Sequence, residues 1–97
     1  MNRAKILGRL NRSIDQLEGQ FRVKALSLFG RAARDEMQKG GDIDVLVEFV
    51  GAPTFDRYMD LKFFLESLFG ASVDLVTVDA MPPRMRSAIE PSLINVA

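Results

Sequence analysis

Two aspartates separated by a single residue, Asp42 and Asp44, open the apolar run IDVLVEFV, downstream of a glycine, Gly30, that closes an earlier apolar run, Ala25–Phe29. Side chains alternate between faces on a strand, so both carboxylates point to the same side. A glycine at the carboxyl end of the first run lets backbone N–H groups approach a ligand closely, and a helix beginning just after it favours an anion. The stretch Leu26–Phe49 therefore reads as strand, glycine turn, short helix, loop and returning strand. It sets an anion cradle beside a carboxylate pair, which suits a metal–phosphate complex.

The rest of the chain supplies elements that can pack around this unit. Apolar residues Ile6, Leu7, Leu10, Ile14 and Leu17 recur at helical spacing, predicting one helix over Asn2–Glu18 with Arg3, Lys5, Arg9 and Arg12 outside and a stop at Gly19. Val23–Phe29 is the first predicted strand, with Val23, Ala25, Ser27 and Phe29 on one face and Lys24, Leu26 and Leu28 on the other. A short helix over Ala32–Met37 and the loop Gln38–Gly41 lead to a strand over Asp42–Val50. Glu48 shares the aspartates' parity but lies ~13 Å from Asp44 at strand rise, so it reads as a strand-end charge. Thr54 is placed to cap a helix over Phe55–Phe69, whose wide aromatic arc reads as core-facing with room for an exposed patch, and Gly70 is placed to end it. Ser72–Val78 is the third strand, with Asp74 on the face of Ser72 and Val76. An aspartate in a strand runs against propensity, which points to a reason for it. A short basic helix over Arg84–Glu90 follows Pro82-Pro83, and SLINVA closes as a short strand or tail. The sum is an α/β chain: a small mixed sheet of three or more strands with helices packed on one side, the whole of 1–97 forming one domain.

Composition narrows the chemistry. There are 13 basic and 13 acidic residues, so no overall field recruits nucleic acid. With neither cysteine nor histidine, any metal site must be built from oxygen ligands, which suits Mg²⁺ or Mn²⁺. The absence of cysteine is compatible with a reducing cytoplasm. No apolar run approaches the ~20 residues of a membrane span, and the basic N-terminus continues as an amphipathic helix rather than a signal peptide.

Gly30, the ten residues Ala32–Gly41 after Arg31, and then Asp42-Ile43-Asp44 resemble the G-S-x10-D-x-D signature of the DNA polymerase beta-type nucleotidyltransferase superfamily. The flanks agree: LFG before the turn, Ala33-Arg34 after it, and DIDVLVEF on the second strand. Further on, SVDLVTVDAMPPRMR resembles the family's third-carboxylate strand, so the likeness runs from Val23 to Arg86. The small size resembles the stand-alone minimal nucleotidyltransferases, which are often antitoxins beside a HEPN-type ribonuclease toxin.

The resemblance implies that Asp42, Asp44 and Asp74 are catalytic and hold two divalent ions, Mg²⁺ or Mn²⁺. Asp74 would also favour deprotonation of the incoming hydroxyl. Gly30 and Arg31 would hold the terminal phosphates of ATP, and Arg34 would be an internal clamp on a carboxylate. It further implies adenylyl transfer from ATP to a tyrosine of a HEPN toxin partner, in the cytoplasm, with no direct role for nucleic acid or membrane. One position departs from the pattern: Arg31 stands where the family has serine. Arginine can pair with a phosphate as a charged fork, fill the phosphate's space, or swing out and leave the turn short of a donor. The last two outcomes would make the chain a binding module that neutralises its partner by complex formation alone.

Overall fold

The structure, a computed structural model, describes residues Met1–Ala97. Its longest helix shows how locally the chain specifies an element. Thr54 Oγ1 accepts the Arg57 N–H at 3.1 Å, Asp56 sits in the first turn, and Gly70 closes the helix at φ 66. Between them α4 runs Phe55–Phe69, with the bounds the sequence predicts. Leu61, Leu65 and Phe69 are buried, whereas Phe55 and Phe63 are 76% and 57% exposed. The aromatic arc is thus core-facing with two phenylalanines left outside.

Four strands form one mixed sheet: β1 (Val23–Leu28), β2 (Ile43–Phe49), β3 (Val73–Thr77) and β4 (Ile94–Asn95), in the order β3-β2-β1-β4. β2 and β3 are parallel and the other pairs antiparallel. Parallel neighbours need a crossover, and α4 supplies it. It packs on one face of the sheet together with α1 (Arg3–Arg12) and α2 (Ile14–Gly19). There Ile6, Leu10, Leu17, Leu61 and Leu65 meet Leu26, Leu28, Ile43, Val45 and Val47, all fully buried. The opposite face carries only a small cluster, Phe29, Leu46 and Met81, packed by Ile89 and Leu93 from the segment that includes α5 (Pro83–Ile89). No helix is long and apolar enough to cross a membrane.

Several expectations change. The predicted first helix is two, because the chain tightens at Ser13, whose N–H donates to Leu10 O at φ −109, ψ 8. Serine favours helix ends over interiors because its hydroxyl competes for the backbone. The predicted face of Val23 is reversed. The register of β1 against β2 shifts between Val23 and Ala25, and this bulge brings Val23 into the main core with Leu26 and Leu28. Ser27 and Phe29 stay on the other face, where the Ser27 hydroxyl donates to Asn95 Oδ1 at 2.7 Å and helps dock β4. The short helix after the turn, α3, spans Gly30–Ala33 rather than Ala32–Met37; Asp35 at φ 59 takes the backbone out of the helical region. Glu48 is the strand-end charge expected, 3.7 Å from Lys24 Nζ.

β3 lies at the sheet edge, where unpaired backbone groups invite other strands. Two α4 side chains cover them. Glu66 Oε2 accepts the Val73 N–H at 3.0 Å, and the Tyr58 hydroxyl donates to Leu75 O. These bonds bracket Asp74 on its strand.

Candidate active site

The site is built where β1 leaves the sheet. Phe29 N–H donates to Asp44 O at 3.1 Å, tying the turn to the start of β2. Gly30 then adopts φ 61, a left-handed conformation that favours glycine. A second constraint acts on the same atom. A Cβ at Gly30 would collide with Asp44 Oδ2 and sit 3.1 Å from Asp44 Cγ. The glycine therefore makes room for a carboxylate, as well as presenting the first amides of α3, which have no carbonyl partner within the helix.

Asp44 and Asp74 are direct partners across the parallel β2–β3 pair, so their side chains leave the same face of adjacent strands. Asp42 precedes β2 and is exposed, as is Asp74, while Asp44 is partly buried. Burial, the charges of Asp74 and Asp42, and a hydrogen bond shared with Asp74 push the Asp44 carboxyl above its ordinary range; the Arg34 guanidinium offsets part of this. The structure thus brings Asp42, Asp44 and Asp74 into one electrostatic group. No three acidic side chains converge into a ready-made metal cage. Mg²⁺ is commonly bound through one or two carboxylates, with substrate phosphates and water completing its shell. An all-oxygen donor set whose members repel one another fits a divalent cation.

A cleft of ≈ 360 Å³ joins two of the carboxylates to the turn, lined by Gly30, Arg31, Arg34, Gln38, Asp42 and Asp44 among others; Asp74 lies outside its lining. Arg31 is exposed, and its Nη1 donates to Gln38 Oε1 at 3.1 Å. Arg34 pairs with a carboxylate, as expected of it, but from the surface rather than as an internal clamp. α3 ends at Ala33, leaving Arg34 on the surface, where its Nε meets Glu36 Oε2 at 3.1 Å. Gln38 is the site residue that sequence reasoning missed, and no pattern marks it. A larger hollow of ≈ 570 Å³ lies between the 37–41 loop and Phe69–Ser72; it shares Met37, Gln38 and Gly41 with the cleft but includes none of the three aspartates.

A family profile described as "Nucleotidyltransferase domain" matches residues 7–95. Protein adenylyltransferase MntA of Thermococcus cleftensis is 32% identical over 80 residues, covering 82% of this chain and 77% of that protein. A solved structure provisionally described as a minimal nucleotidyltransferase superposes with a TM-score of 0.83 at 29% identity, covering 97% of this chain and 95% of the other. The fold also matches a solved complex described as a tri-AMPylated Shewanella oneidensis HEPN toxin with its MNT antitoxin. There the TM-score is 0.67 at 17% identity, over 94% of this chain and 71% of the other, a likeness of fold.

Proposed function

The chain belongs to the nucleotidyltransferase domain family, and from that premise we propose that it is an antitoxin that transfers adenylyl groups from ATP to a tyrosine hydroxyl of a HEPN-type toxin partner. The observation that carries the reading is the placement of Asp44. It lies against the Gly30 turn on one side and beside Asp74 on the neighbouring strand, with its carboxyl pushed up by burial and by the charges of Asp74 and Asp42. The adenylyltransferase name of the Thermococcus cleftensis relative and the HEPN partner in the Shewanella oneidensis complex support the donor and the acceptor class.

Asp42, Asp44 and Asp74 are the residues that would hold a pair of Mg²⁺ or Mn²⁺ ions. Bound there, the metal would supply Lewis-acid polarisation of the phosphoryl oxygens and offset the charge of the attacking and leaving oxygens. The protein's own part is positioning. The turn amides after Gly30, with the Arg31 guanidinium, hold the β- and γ-phosphates and so place the α-phosphorus over the carboxylates. Asp74, exposed at the sheet edge, faces the incoming hydroxyl and takes its proton. The tyrosine oxygen forms a bond to the α-phosphorus, the bond to the β-phosphate oxygen breaks, and pyrophosphate leaves. The 97 residues work as one minimal domain in the cytoplasm, with neither nucleic acid nor membrane taking part.

Arg31 favours a second reading. Its guanidinium is tied to Gln38 rather than turned over the amides, which would leave a module that neutralises its partner by complex formation alone. Intact mass spectrometry of a HEPN-type toxin that this chain binds decides, after incubation with the protein, ATP and Mg²⁺. Increments of whole adenylyl groups that vanish in Asp42→Asn establish transfer. A stable complex without increments establishes the module.

A further inference from the structure

The four-residue helix α3 carries the phosphate-holding turn at its start, yet a helix this short does not stand by itself in water. Ala32 and Ala33 bury one side of it. Its other end is held by a segment about thirty residues earlier in the chain. Arg3 Nη1 donates to Ala33 O at 3.0 Å, and the Arg3 backbone N–H donates to Asp35 Oδ1 at 2.9 Å. Each bond satisfies a group that its own helix leaves unpaired: the last carbonyl of α3 and a first-turn amide of α1. Asp35 reaches α1 from its left-handed backbone at φ 59. The two helix ends therefore cap each other.

We propose that Arg3 and Asp35 form a clasp that positions the Gly30–Arg31 turn for nucleotide, so that Arg3, though remote from the carboxylates in sequence, is a positioning residue for the reaction. The inference deepens the functional reading above and rests on it for the identity of the nucleotide. The mechanical link is short. Ala33 and Arg34 N–H groups donate to Phe29 and Gly30 carbonyls, and Asp35 and Glu36 N–H groups to Ala32 and Arg31 carbonyls. A shift at Ala33 is therefore passed directly to the turn. Displacements of ~1 Å at a positioning element can cost ~100-fold in rate, so a clasp of two hydrogen bonds has leverage on binding.

The test uses the full chain with Arg3→Gln, Arg3→Lys and Asp35→Gly. The glycine variant loses the carboxylate while adopting the left-handed turn without difficulty, so it removes the Asp35 half of the clasp, as Arg3→Gln removes the guanidinium half, without adding strain. Two readings are taken: amide hydrogen exchange in the free protein, and the dissociation constant for Mg·ATP. The clasp predicts roughly tenfold faster exchange at Ala33–Glu36 in Arg3→Gln and Asp35→Gly, with α4 amides unchanged. It also predicts an approximately tenfold weaker Mg·ATP complex, with Arg3→Lys recovering much of both because lysine can still donate to Ala33 O. Unchanged exchange at Ala33–Glu36 overturns the clasp. So does faster exchange with undiminished Mg·ATP binding, or a uniform rise that includes α4, which would make Arg3 a residue of general stability. A wild-type chain that binds no Mg·ATP instead overturns the nucleotide reading of the site, and the exchange result then decides the clasp by itself.

Discussion

The two halves of the site are held in different ways. The carboxylate half rides on the start of β2 and on the edge strand β3, with Ile43, Val45 and Val47 fully buried beneath it and α4 securing the outer edge of β3 through Glu66 and Tyr58. The turn half rests on a four-residue helix, an exposed Arg31–Gln38 bond and the contacts of Arg3. Packing over two strands fixes the first; two buried alanines and a few hydrogen bonds fix the second. Chemistry at the carboxylates should therefore tolerate changes in the scaffold, while nucleotide grip should respond to small ones.

The largest effect tests the carboxylate half directly. Asp42→Asn and Asp44→Asn should each abolish adenylyl transfer, read by mass spectrometry of the partner, while leaving the fold intact. Asp44→Asn should even gain stability at neutral pH. The native state raises the Asp44 pKa, so it binds that proton more tightly than the unfolded chain. Wild-type stability from this group is present at pH below the ordinary carboxylate value and is lost as pH rises through the raised native value. The asparagine variant should therefore melt above wild type at pH 7, and the gap should close on acidification through that window. A gap that widens on acidification, or unfolding of either variant at pH 7, would mean that these carboxylates support the fold.

Gly30→Ala joins the two halves, because the added methyl meets Asp44 while the backbone stays at φ 61. Strain of this kind costs ~1–3 kcal/mol, which for a chain of this size is ~4–8 °C in Tm per kcal/mol. Transfer should fall by ~100-fold, the scale of a misplacement near 1 Å. Retained transfer with only a lowered Tm would show that Asp44 can move aside, and that the carboxylate half is softer than its packing suggests.

Arg31→Ser probes the turn half alone. A charge-assisted hydrogen bond is worth ~1.5–3 kcal/mol, so loss of the guanidinium should raise KM for ATP by about tenfold or more, with kcat moving little. A rise in transfer instead would identify Arg31 as an obstruction to phosphate and favour the occluding module.

How much of this was legible follows the same division. α4 could be read residue by residue, since Thr54, Asp56 and Gly70 act within a turn of where they stand. The carboxylates could be placed because strand parity fixes their face, and the parallel register then set Asp44 beside Asp74. The turn half was less legible. The end of α3 depends on the left-handed backbone of Asp35, and its anchor, Arg3, is 32 residues from Asp35 with no periodic relation to it. The face of Val23 was hidden for a related reason: a bulge is set by the partner strand, and one extra residue reverses parity.

The smallest effect on transfer is expected where the scaffold is disturbed beneath the better-held half. Tyr58 is the only tyrosine in the chain, and its hydroxyl donates to Leu75 O, next to Asp74 on the edge strand. Tyr58→Phe keeps the ring and its packing against the core, so it deletes one hydrogen bond and leaves one carbonyl short of a donor. The net cost is ~0.5–1.5 kcal/mol, and Tm should fall by several degrees. Asp74 should stay in place nonetheless, because its strand is still paired with β2 from Ile43↔Val73 to Val47↔Thr77 and the Glu66–Val73 bond remains. Transfer at temperatures well below Tm should then stay within about twofold of wild type, since the lost bond is not one made by the reacting groups. A large loss of kcat in Tyr58→Phe with a small change in Tm would reverse the comparison. It would mean that edge hydrogen bonds, and not sheet packing, hold the third carboxylate where the hydroxyl must lose its proton.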